Sequence, residues 1–211
     1  MAELKFYGAN CFEIKTKEVT VLIDPLKSEY GKPVSTKDKV VVLSDPSSYK
    51  DQDFKDAKFV INTPGEYEIS KVSIHGMSAK RHIDDEDAQD ASIIYRVTAD
   101  DNNVGILGNI APKLTDEQLE TLGIVDYLLL PVGGKGLTLD AISATNLIRE
   151  IEPKVVVPSH FASSKIEYPM PQDDLDIFSK EMSKEAQKEP KLKLNRATLP
   201  EDTQIVELEV S

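Results

Sequence analysis

Val40-Val41-Val42-Leu43-Ser44-Asp45-Pro46-Ser47-Ser48-Tyr49-Lys50 sets four consecutive apolar residues directly against a polar loop. A continuous apolar run of this kind, mostly β-branched, reads as a strand buried on both faces. Such a strand needs a covering layer on either side, so it belongs to a layered fold. The loop leaving it carries a carboxylate, hydroxyls, a phenol and an ammonium group. Loops at the ends of buried strands are where a rigid scaffold presents its chemistry.

Toward the N-terminus, residues 4–7, 11–15 and 19–23 are short runs rich in aromatic and β-branched residues. Polar or glycine-containing breaks separate them, which predicts a meander. Residues 59–62, 67–69, 72–77 and 92–98 continue the pattern, and the charged stretch 79–90 reads as an exposed loop. The second half changes period. Residues 104–107 predict a strand, and Thr115 with Gln118 has the capping-box form that opens a helix ending at Gly123. Residues 127–132 predict a buried strand. Ala144, Leu147, Ile148 and Ile151 then fall at helical spacing, closed by Glu152 and Pro153. A strand at 155–157 follows, then an amphipathic helix over 173–187 through Leu175, Phe178 and Met182. Two strands near 191–194 and 204–210 end the chain. Strands first, then strands alternating with helices, predict an α+β fold in one domain over residues 1–211.

The chain has 211 residues, enough for a sizeable core. Its formal charge of −12, from 37 acidic against 25 basic residues, repels phosphate backbones and argues against nucleic acid as a partner. Cys11, the single cysteine, excludes an intrachain disulfide and any multi-cysteine metal knot. It lies in an apolar stretch and reads as an inert buried thiol. No apolar run has the length of a signal segment or a membrane span, so the expected location is cytoplasmic, without a membrane partner.

Several segments together resemble the metallo-β-lactamase superfamily, particularly its small bacterial branch of ascorbate-6-phosphate lactonase-like proteins. They are residues 6–12 and 21–25, Pro64 to Glu68 with 72–76, Leu107-Gly108-Asn109, residues 128–134, residues 155–160 and the tail from Leu199 to Thr203. The resemblance implies an αββα four-layer sandwich with a site along one edge between the sheets. It also implies zinc ligands from a His-x-His-x-Asp-His loop after a buried strand, and these are largely absent. Asp45 and Ser47 stand at the first two histidine positions, while Tyr49 and Lys50 replace the aspartate and third histidine. A charged ammonium offers no lone pair to a cation. The bridging aspartate becomes Asn109, a neutral amide. His160 aligns with the last ligand and His82 lies near the middle one; His75 falls within a strand pattern.

These residues imply a vestigial pocket lined by Asp45, Ser47, Tyr49, Lys50, His82, Asn109 and His160, with no dinuclear metal centre and no assigned catalytic residue. Lys50 is expected to pair with Asp45. The expected cofactor is none, although Asp45, His82 and His160 leave room for one weakly bound zinc. The leading reading is a non-catalytic or strongly diverged hydrolase homologue that binds a small molecule or a protein. The alternative is an active mononuclear hydrolase of a small phosphorylated or lactone-type substrate. Ribonuclease action is opposed by the charge and by the missing ligands. Residues 131–136 lack the spacing of a phosphate loop, and Ser159-His160 lacks a nucleophile elbow.

Overall fold

The computed structural model describes residues 1–82 and 91–211. Most of the charged stretch at 79–90, with Asp84, Asp85 and Glu86, lies outside the described residues; Ala79 itself ends a strand.

Two mixed sheets face each other. The first begins as an antiparallel meander of β1 (Glu3–Gly8), β2 (Cys11–Lys15) and β3 (Thr20–Ile23). β4 (Val40–Val42) and β5 (Phe59–Ile61) then add in parallel to β3. The second sheet continues with β6 (Gly65–Ile69), β7 (Val72–Ala79), β8 (Ser92–Ala99) and β9 (Asn102–Ile106), all antiparallel neighbours. It then turns parallel through β10 (Tyr127–Pro131) and β11 (Val155–Ser159). β12 (Ala186–Glu189) and β14 (Gln204–Leu208) complete that sheet in parallel, while β13 (Leu192–Lys193) returns to pair with β1. The resulting orders are β13-β1-β2-β3-β4-β5 and β12-β14-β11-β10-β9-β8-β7-β6. This is the metallo-β-lactamase α+β sandwich that the resemblance implies.

One apolar cluster fills the space between the sheets, joining Phe6, Ile14 and Val42 of the first to Ile74, Val97 and Leu129 of the second. Each large side chain buried there contributes on the order of 2 kcal/mol. Helices α1 (Asp116–Leu122), α2 (Ala141–Ile151) and α3 (Leu175–Met182) accompany the larger sheet. The expected capping box is present: the Gln118 N–H donates to Thr115 Oγ1 at 3.2 Å, and the Thr115 N–H donates to Gln118 Oε1 at 2.8 Å. The outer face of the first sheet is covered differently. Two short 3₁₀ turns, Pro46–Ser48 and Asp51–Phe54, lay Tyr49 and Phe54 over Val41 and Leu43.

One element departs from expectation. The helix predicted over 173–187 covers only Leu175–Met182. Ser183 turns left-handed at φ 52°, its N–H bonds back to Lys180, and the chain leaves as edge strand β12. Apolar spacing cannot report such a stop, because Leu175, Phe178 and Met182 keep helical period up to it.

Candidate functional site

Parallel β3, β4, β9 and β11 all deliver their C-terminal ends to one edge of the sandwich, and the β1–β2 turn joins them there. Together they line a small cleft of about 60 Å³. Close backbone approach draws the two sheets together. Gly108, after β9, sits at φ +59° so tightly against Ser44 that a Cβ at this position would overlap the serine side chain. The next residue, Asn109, accepts through Oδ1 from Asn10 Nδ2 at 2.8 Å, and Asn10 Oδ1 in turn accepts from the Ser159 hydroxyl at 2.9 Å.

Left-handed backbone occurs at Ala9 (φ 48°), Asp24 (φ 41°) and His160 (φ 51°), all on the cleft wall. Such conformations are costly for residues with a Cβ, and persist where surrounding structure over-determines them. Here the determinants are visible. Both oxygens of Asp24 accept from Ser44, one from its N–H at 2.7 Å and the other from its hydroxyl. Complete burial pushes the Asp24 carboxyl up to about 7, although the bonds from Ser44 oppose the shift.

His160 is held from two sides. Its N–H donates to the Ala9 carbonyl at 3.0 Å, and ring Nδ1 lies 3.1 Å from Gln172 Oε1. The Gln172 amide nitrogen donates to the carbonyls of Met170 and Pro171, which turns its oxygen toward the ring. A carbonyl oxygen only accepts, so Nδ1 carries the proton and Nε2 keeps a lone pair. Burial brings the imidazole down to about 4 and keeps it neutral at physiological pH. The Tyr168 ring packs 4.8 Å from it and Tyr30 stands edge-on at 6.5 Å.

The loop after β4 is arranged otherwise. Ser47 and Ser48 donate to the two oxygens of Asp45, each at 2.6 Å. The charge facing this carboxylate comes from Arg81, whose Nη1 lies 3.9 Å from Asp45 and donates to Ser47 Oγ at 3.0 Å. The expected Lys50–Asp45 pair is therefore corrected. Pro46 starts a 3₁₀ turn that carries Lys50 to the exposed surface, where its N–H bonds to Asp53 Oδ2 at 3.0 Å. Tyr49 lines the cleft with its ring, but its hydroxyl donates to the Pro25 carbonyl at 3.1 Å.

The cleft thus gathers Asp45, Tyr49, Asn109 and His160 from the expected set, with Ser48 in place of Ser47, and leaves Lys50 outside. His82 reaches Asn109 only through its backbone N–H, at 2.9 Å from the asparagine carbonyl; its buried Nδ1 has no partner among the described residues. His75 lies on β7, 3.7 Å from Glu66 and away from the cleft. Asn10, Asp24, Lys27, Tyr30 and Ser44 line the cleft without having been singled out as site residues. Asp24 and Asn10 do stand within segments that carry the family resemblance, which was the available signal. In the 131–136 loop, Lys135 pairs with Asp173 at 2.6 Å.

These residues do not fit a zinc centre. Among the described residues, no group of three His, Cys, Asp or Glu side chains converges as metal ligands. The Asp45 oxygens are already occupied by hydroxyl donors with Arg81 alongside, and the Asn109 carbonyl oxygen is taken by Asn10.

The sequence profile of the beta-lactamase superfamily domain matches residues 3–160, so the chain belongs to that superfamily, in its metallo-β-lactamase form. Solved structures carry the same architecture over almost the full length. A metallo-β-lactamase superfamily protein from Thermotoga maritima aligns with TM-score 0.76 and 22% identity, covering 100% of both chains. Igni18, a metallo hydrolase from Ignicoccus hospitalis, aligns at 0.61 and 18% identity, covering 98% of this chain and 95% of its own. The fold protein YhfI from Bacillus subtilis aligns at 0.60 and 10% identity, covering 98% and 96%. No curated protein matches the chain.

Proposed function

We propose that this chain is a non-catalytic or strongly diverged hydrolase homologue, related to the lactonase-like branch, whose cleft binds a small molecule without a metal pair. The observation that carries this reading is the state of Asp45. A carboxylate that accepts from Ser47 and Ser48 and faces Arg81 has its lone pairs and its charge engaged within the protein. Recruiting it to zinc would strand two hydroxyl donors and set a dication beside a guanidinium. His160, its Nδ1 proton fixed by Gln172, presents the Nε2 lone pair as an acceptor on the cleft wall.

Elemental analysis of protein purified without chelator, followed by zinc titration, tests this. The expected result is zinc far below one equivalent as purified and no saturable tight site on titration. Stoichiometric tight zinc that is lost in His160→Asn would overturn the proposal and favour a mononuclear hydrolase using Asp45, His82 and His160.

A further inference from the structure

The hydrogen-bonding capacity left over on the cleft wall includes a set of N–H donors. Asn109 uses its oxygen on Asn10, which leaves its amide hydrogens to donate. Asn10 uses its oxygen on Ser159 and one amide hydrogen on Asn109, which leaves the other. Lys27, a cation on the wall, holds its ammonium 5.9 Å and 5.3 Å from the Tyr30 and Tyr49 ring centroids, with the exposed Glu29 carboxylate 4.0 Å away. Each carboxylate on the wall already accepts two hydrogen bonds from the protein. Asp24 is taken up by Ser44, and Asp45 by Ser47 and Ser48. The imidazole adds an acceptor, the Nε2 lone pair of His160, on a residue only 3% exposed.

The wall therefore offers N–H donors beside an ammonium, together with an imidazole nitrogen able to accept from a ligand hydroxyl. Resting on the metal-free reading above, we propose that the cleft binds a small oxyanion that also carries a hydroxyl. Its oxygens meet Lys27, Asn10 and Asn109, and its hydroxyl donates to His160 Nε2. A phosphate monoester or monoanion and an α-hydroxy carboxylate share this chemistry. The negative charges nearby are offset in part, Glu29 being exposed and paired with Lys27 only at a long 4.0 Å. Asp45 is offset by Arg81, and burial of Asp24 favours its uncharged form. The enclosed space, about 60 Å³, limits the ligand to a small oxyanion.

Amide NMR of the full chain, titrated with inorganic phosphate, glycolate, acetate and glycolamide, tests the proposal. Saturable shifts at the Asn10 and Asn109 side-chain amides are expected with glycolate or phosphate. Saturation by phosphate alone assigns the ligand to phosphates and by glycolate alone to hydroxy acids; either supports the proposal. Acetate, lacking the hydroxyl, is expected to bind more weakly than glycolate. Lys27→Met should weaken the anion about tenfold, the loss of one charge-assisted hydrogen bond, while Lys27→Arg and Lys50→Met leave it largely intact. Three results would overturn the proposal: no saturation by either anion, equal affinity for uncharged glycolamide, or no effect of Lys27→Met. Glycolamide binding with no anion binding would remove the oxyanion and keep the metal-free pocket. Stoichiometric zinc would remove both.

Discussion

The ends of β4 and β11 face the same cleft and were treated in opposite ways. After β4, Asp45 accepts from Ser47 and Ser48 of its own partly exposed loop, and Arg81, which follows β7, bonds to Ser47. After β11, His160 is bound through its backbone to the β1–β2 turn, through its ring to Gln172, and through its faces to tyrosines. A buried residue engaged from several elements cannot change without disturbing all of them, whereas a partly exposed loop whose carboxylate is held largely by its own hydroxyls can change at lower cost. Such anchoring is reason enough for a histidine at the end of β11.

The sharpest way to break this contrast is to titrate the two buried groups that anchor the cleft. Burial holds Asp24 near 7 against an ordinary 3.8, so the folded chain keeps its proton more tightly than the unfolded chain. Its stabilisation is complete below about 3.8 and is lost as pH rises through about 7. His160 runs the other way. Burial lowers it from 6.5 to about 4, so stability is complete above 6.5 and is lost as pH falls through about 4. In the intact protein the two slopes oppose each other. Urea midpoints across that range should separate them. Asp24→Asn is expected to become less stable as pH falls, and His160→Asn as pH rises, each relative to wild type by on the order of 3 kcal/mol. Asparagine suits both sites because it tolerates left-handed backbone. Parallel pH profiles for wild type and both variants would show that the anchoring is not electrostatic.

A smaller effect is expected at Gly133, after β10. A Cβ there would collide with the His160 carbonyl oxygen and crowd Gln172 Oε1. The obstacle is largely backbone, so Gly133→Ala should cost about 2–3 kcal/mol by overpacking. It should also displace Gln172 and weaken the fixed tautomer, seen as an altered His160 ring signal in NMR. Wild-type stability in this variant would mean that the β11 end is as pliable as the loop.

The same contrast explains what the sequence could disclose. The buried strand at 40–43 and the strands around it were legible because continuous apolar runs carry their own signal. Edge strand β12, mostly exposed, carries none. Asp45, Asn109 and His160 could be placed because each immediately follows a readable strand. Asn10 and Asp24 could not be given a role, because their roles arise from long-range closure: Asn10 meets Asn109 across 99 positions and Ser159 across 149. The partner of Asp45 was misread for a related reason. Lys50 is its neighbour in sequence, but the 3₁₀ turn separates them and folding delivers Arg81.

The smallest expected effect lies on that loop. Lys50 is exposed, and the structural bond at this position uses its backbone N–H to Asp53, which alanine retains. Ser47 is exposed too, and without its hydroxyl Asp45 would keep Ser48 and Arg81 nearby. Lys50→Ala is therefore expected to change stability by no more than about 0.5 kcal/mol, and Ser47→Ala by under about 1 kcal/mol. Urea denaturation at neutral pH measures both. A loss above about 2 kcal/mol at either position, the scale of a broken buried network, would place the loop in the same class as the β11 end. The inequality between the two ends of the cleft would then disappear.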